Sequence, residues 1–222
     1  LIIGGGKRPA PVMKTFVELA GGPGASIAVI PSASAYAEES GARAVADFTA
    51  AGAGRVTVFN IKDSPAADSD SVVNLLEGYG GYYFGGGNQN RLTAILNGTK
   101  TLDLLHRRHR EGAVIGGTSA GAAVMSAIMI TGDGTWEILL RDSVITTQGF
   151  GFIEDYIIDQ HFIARRRLNR LLALCLQHQT NGIGIDERTA ILINPKREVE
   201  VIGERSVVLL RGADARYPEN PQ

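Results

Sequence analysis

The chain has 222 residues, with Lys+Arg 22 against Asp+Glu 23 for a formal net charge of −1, and is 44% hydrophobic and 6% aromatic. That length suits a single α/β domain over 1–222, and the balanced charge supplies no field for nucleic acid or a membrane surface. The single cysteine excludes an internal disulfide and a thiolate zinc cluster, and no apolar run is long enough to span a bilayer.

Short apolar runs bounded by Gly or Pro predict strands at 1–3, 27–30, 56–60, 81–84 and 113–115. Between them, apolar positions three and four apart predict helices at 12–20, 36–51, 69–77 and 90–110. This alternation implies a mostly parallel sheet flanked by helices. The second half changes character: strands at 144–147 and 156–159, a helix over 165–178, then strands at 182–186, 190–193, 199–202 and 207–210. Gly203-Glu204 can turn the last two strands, which makes an antiparallel C-terminal edge on the parallel core. The polar end at 217–222 reads as a frayed tail.

Ligand sites in such sheets gather beyond the strands' carboxyl ends. Gly4-Gly5-Gly6, Gly85-Gly86-Gly87 and Gly116-Gly117 fall there. The last opens Gly116-Gly117-Thr118-Ser119-Ala120-Gly121-Ala122, the G-x-S-x-G pattern of a nucleophile elbow. Such a turn holds Ser119 in a strained conformation with its hydroxyl outward. A helix running on through 123–128 would set its positive end toward an anionic intermediate.

A serine hydroxyl needs a base within hydrogen-bond reach, and the chain offers four histidines. His106 and His109 lie in a charged helix end and read as solvated surface; His178 reads as a helix C-terminal residue interacting with the dipole. His161 closes an apolar strand where sites collect, so it is the candidate base. The acid that would hold its tautomer is Glu187, with Asp186 as the alternative; both follow the strand ending at Ile185. Oxyanion donors would be the Ala120 N–H and a backbone N–H of Gly86 or Gly87. Neither glycine run carries a dinucleotide fingerprint or a Walker pair. Cys175 sits in an apolar helix and reads as buried. Arg165, Arg166, Arg167 and Arg170 follow His161 closely and suit a carboxylate-rich substrate.

The block from Gly116 to Ser126, then Asp159-Gln160-His161-Phe162, then Gly184-Ile185-Asp186-Glu187, resembles the cyanophycinase branch of the S51 serine peptidases, relatives of aspartyl dipeptidase (peptidase E). The resemblance implies a class I glutamine amidotransferase-like fold with serine in place of cysteine, and the order Ser119, His161, Glu187. It implies hydrolysis of cyanophycin, a polyaspartate whose β-carboxyls carry arginine, to β-Asp-Arg dipeptides. Gln89, Arg165, Arg167 and Arg170 would lie around the substrate, accompanied by Asp159 and Gln160. It further implies no metal, no cofactor and a homodimer. A cytoplasmic location is expected, with a leader ahead of Leu1 left open. The alternatives are an aspartyl or isoaspartyl dipeptidase, or a non-catalytic binding protein on the same scaffold. Asn88, where the family often has Asp, and Arg166, where a small residue is common, depart from the pattern.

Overall fold

Each strand of the first half is followed by a helix that brings the chain back to start the next strand in the same direction, which makes the sheet parallel. The computed structural model describes residues 1–134 and 142–215; the tail read at 217–222 lies outside them. In chain order the elements begin β1 (Ile2–Ile3), α1 (Ala10–Leu19), β2 (Ser26–Ile30), α2 (Ala37–Ala50), β3 (Arg55–Val58), α3 (Ser64–Ala67) and α4 (Asp70–Leu76). They continue with β4 (Gly81–Phe84), α5 (Gln89–Leu96), α6 (Lys100–Arg110), β5 (Val114–Thr118), α7 (Ala120–Ala123), β6 (Ile128–Gly134) and β7 (Val144–Gln148). The remainder is β8 (Tyr156–Gln160), α8 (Leu168–His178), β9 (Asn181–Ile185), β10 (Thr189–Ile193), β11 (Val199–Gly203) and β12 (Val207–Leu210).

The main sheet runs β11-β10-β1-β5-β4-β2-β3. From β1 to β3 in that order all pairings are parallel, while β10 and β11 form an antiparallel edge. Its central strands are apolar on both faces, as a sheet covered on both sides requires. Ala28 and Ile30 of β2, with Tyr82 and Phe84 of β4, pack into one core cluster. Ile27, Val29 and Tyr83 pack into the other, where Phe16, Phe48 and Tyr83 meet with ring centroids 5.0–5.9 Å apart. Cys175 is 1% exposed on α8, and burial pushes its thiol up to about 11.

Three local expectations change. The helix read at 90–110 is two helices, because Gly98 adopts a left-handed φ of 72° between α5 and α6. The helix expected through 123–128 stops after one turn at Ala123, and Ser126 turns its hydroxyl onto the Ile128 carbonyl at 2.9 Å as the chain enters β6. Finally, β11 and β12 do not pair with each other. β11 stays on β10, whereas β12 crosses to a second, three-stranded sheet ordered β12-β9-β8, in which β8 and β9 are parallel.

Candidate active site

The carboxyl ends of β1, β4, β5, β8 and β9 converge, and each ends in a residue the sequence singles out. Ser119 follows β5 with φ 53° and ψ −110°, a conformation costly for a residue with a β-carbon. Sheet and turn hold it there: its N–H donates to the Ile3 carbonyl (3.2 Å), and the Gly121 N–H donates to the Gly85 carbonyl (3.1 Å). A β-carbon on Gly117 would stand 2.6 Å from the Gly121 oxygen, so the strand can double back into α7 only with glycine there.

His161 follows β8, also with a left-handed φ of 48°, and its N–H donates to the Gly4 carbonyl at 2.7 Å. Its Nε2 lies 3.0 Å from Ser119 Oγ. On the other side, Nδ1 lies 2.6 Å from Glu187 Oε1. The Nδ1–H tautomer, donating to the carboxylate, leaves Nε2 as acceptor for the serine proton. Glu187 sits on the link between β9 and β10. Its neighbour Asp186 points elsewhere: Oδ1 accepts the Ala164 N–H at 3.0 Å, and Oδ2 is 3.5 Å from Arg205. Of the two acids left open by the sequence, Glu187 is the one that meets the imidazole.

Burial holds the His161 pKa below its ordinary value, the Glu187 hydrogen bond opposes this, and the positive charges of Arg165 and Arg167 add to the lowering. A neutral imidazole at neutral pH is the form that accepts a proton. Gly4, Gly5 and Gly6 make the seat of this pair. A β-carbon on Gly5 would strike the imidazole, and one on Gly6 would come 3.1 Å from the Glu187 β-carbon. The sequence marked this run only as a turn at a strand end.

The Ala120 N–H opens α7 and has no carbonyl of that helix to reach. Gly86 faces Ser119 from β4: a β-carbon there would be 3.4 Å from Ser119 Cβ. In the Gly85–Asn88 loop the outer N–H groups are used, Gly85 to Ile30 and Asn88 to Ala33. Because α7 is a single turn, these individual donors matter more than any helix dipole. Asn88 caps α5, its Oδ1 accepting the Asn90 N–H at 2.9 Å, a task aspartate performs as well.

The residues expected around a substrate divide. Asp159 and Arg170 are each 1% exposed and clasp each other, Arg170 Nε donating to Asp159 Oδ2 at 2.6 Å. These two thus satisfy each other beneath the surface, with almost no exposed area of their own. Arg167 is also buried, donating to the Gln160 carbonyl at 2.6 Å; burial and nearby Arg170 bring its pKa down to about 10. Gln160 is 5% exposed. The Gln89 amide nitrogen is committed to the Ile130 and Thr131 carbonyls at 3.0 and 2.8 Å, tying α5 to β6. Arg165 and Arg166 are exposed. His106 is not simply solvated: its Nε2 meets the Phe150 carbonyl at 2.8 Å and its ring stacks on Phe152. His178 closes α8 as read.

A cleft of about 570 Å³ opens over Ser119, His161 and Gly86. Its other lining residues include Thr118, Asp47 and three cations, Lys7, Arg8 and Arg43. Those cations went unremarked in the sequence, although Lys7-Arg8 directly follows the Gly4–Gly6 turn. Among the described residues no group of histidine, cysteine and carboxylate side chains is arranged to hold a metal ion. No helix among them is long and apolar enough to cross a membrane.

The model of peptidase family S51 matches residues 1–201. The chain is 34% identical over 226 residues to a cyanophycinase of Nostoc sp. (strain PCC 7120), covering 100% of this chain and 76% of that one. It is 36% identical to a cyanophycinase of Geminocystis herdmanii (strain PCC 6308), covering 98% and 82%. Among solved structures, a peptidase from an acI-B1 Actinobacterium superposes with a TM-score of 0.77 at 24% identity, covering 95% and 89%. A peptidase E-like protein of Listeria monocytogenes EGD-e gives 0.65 at 20%, covering 92% and 97%.

Proposed function

From its place in peptidase family S51, to which this chain belongs, we propose that it is a serine exopeptidase releasing β-Asp-Arg dipeptides from cyanophycin. That it is a hydrolase of the peptidase kind follows from the family; the serine mechanism and the substrate are the proposal. One observation carries it: Ser119 Oγ, His161 and Glu187 stand in line, with separations of 3.0 and 2.6 Å.

Ser119 Oγ attacks the carbonyl carbon of a main-chain amide while Nε2 of His161 takes its proton. The Glu187 carboxylate holds the Nδ1–H and stabilises the imidazolium formed. The oxyanion is received by the N–H of Ala120 and of Gly86 or Gly87. The intermediate collapses with breakage of the C–N bond, and Nε2 returns the proton to the leaving amine. Water then enters along the same path and releases the acid product from Ser119.

The test is release of β-Asp-Arg from purified cyanophycin by wild type beside Ser119→Ala. Wild type alone should release it, with the variant down by about 10³-fold or more while its melting temperature holds. A fully active Ser119→Ala would overturn the serine mechanism. A wild type inert on cyanophycin yet active on α- or β-aspartyl dipeptides would move the substrate to the dipeptidase alternative.

A further inference from the structure

The cleft over Ser119 is basic, and its cations come from the opposite end of the chain to the arginine cluster the sequence pointed to. Lys7 and Arg8 follow the Gly4–Gly6 turn, and Arg43 lies on α2. The acidic lining residue is Asp47, which the Arg8 guanidinium already engages through both Nε and a terminal nitrogen. That pairing fixes Arg8 in one orientation, with its side chain only 16% exposed, beside the cleft. Arg43 reaches toward Glu39 at 4.0 Å on an exposed helix surface, a pairing of little strength. Lys7 and Arg43 are thus cationic wall with no strong acidic partner in the cleft.

Thr118 lines the same cleft one residue from Ser119, and its hydroxyl faces the buried Tyr83 hydroxyl, which also neighbours Arg8. By contrast, Arg167 and Arg170 are closed off by Gln160 and Asp159.

We propose that Lys7, Arg8 and Arg43 form the carboxylate-recognition subsite of this cleft, with Arg8 as the fixed anchor and Lys7 and Arg43 as the rim. This rests on the peptidase reading above. Two carboxylates of the proposed substrate share the chemistry: the α-carboxylate of the arginine side group and the terminal carboxylate of the main chain. A fixed guanidinium suits either by bidentate contact, and a rim lysine adds a point charge. The substrate's own guanidinium must then point out of this cleft, away from the like charges.

The experiment compares wild type, Lys7→Met and Arg43→Gln, both rim substitutions that leave the Arg8–Asp47 pair in place. The substrates are a two-unit β-Asp-Arg peptide with free carboxylates, its C-terminal amide, and its argininamide form. Wild type should lose about tenfold or more in kcat/KM on one amidated form, which identifies the carboxylate bound. In Arg43→Gln the free-acid KM should rise by about tenfold, kcat should fall far less, and the discrimination should shrink. Binding of β-Asp-Arg to Ser119→Ala, measured by calorimetry with and without Arg43→Gln, gives the same comparison without turnover. Unchanged KM, unchanged discrimination or unchanged affinity in the rim variants overturns the subsite. Failure of the wild type to cleave any of the three peptides speaks instead against the peptidase reading.

Discussion

Gly5 lies directly against the imidazole of His161: a β-carbon on it would stand 2.4 Å from both Cε1 and Nε2. The backbone there is left-handed, with φ 115°, so a side chain is disfavoured twice over. Gly5→Ala should displace the ring from Ser119 and lower kcat by roughly 10²-fold, the usual result of misplacing a reacting group by about 1 Å. Steady-state kinetics with a melting curve checks this, and unchanged kcat would mean that the imidazole is not held by this seat.

The two acids after β9 should separate cleanly. Glu187→Gln removes the carboxylate that meets Nδ1 and should cost about 10³- to 10⁴-fold in kcat, as tautomer and imidazolium support are lost together. Asp186→Asn should leave kcat within about threefold, since its contacts are the Ala164 N–H and Arg205, and show its effect mainly in stability. The reverse pattern would reassign the acid.

The pH profile follows from the depressed His161 pKa. Because burial first, and then the charges of Arg165 and Arg167, disfavour the imidazolium, the neutral base persists to lower pH than for an ordinary histidine. The acid limb of kcat/KM should have its midpoint below roughly 6.5. Arg165→Gln removes one of the positive charges, so the midpoint should rise, more at low salt than at high salt. A midpoint that falls in this variant would contradict the electrostatic assignment.

Asp159 and Arg170 should behave as a buried pair. Arg170→Met alone leaves the buried Asp159 carboxylate only the more distant Arg167 guanidinium, at 3.7 Å, and should cost up to about 3–5 kcal/mol of stability. Replacing both with apolar residues of similar volume should recover only part of that loss, because the buried Arg167 guanidinium then loses Asp159. Denaturant unfolding of the two variants is the measurement, and equal losses would mean that packing, rather than charge, dominates the site.

What the sequence made legible was governed by short-range rules. The elbow around Ser119 is a local constraint written in Gly117 and Gly121, and the strand-end position of His161 follows from the alternation of elements. The alternation likewise gave the parallel sheet. Burial of side chains is not local, and neighbouring residues in the sequence do not reveal it. Arg167 and Arg170, expected around the substrate, lie buried against Asp159, and His106, expected to be solvated, meets Phe150 and Phe152 from elsewhere in the chain. The break between α5 and α6 had a signal, Asn97-Gly98, that helical periodicity on either side obscured. The cleft cations had none, because Lys7 and Arg43 come together only through the packing of α1 and α2 beside the sheet.

Ser119 belongs to the seven-stranded sheet, whereas His161 closes β8 of the smaller one and Glu187 lies on the link leading out of β9. Gly4 helps join the two, its N–H donating to Thr189 of the larger sheet and its carbonyl accepting from His161. Reactivity is therefore stored in neither layer but in their alignment. Under the proposed mechanism, a chain that had formed either sheet alone would lack one side of the Ser119–His161 contact and be inert, so activity would arrive only when assembly is finished.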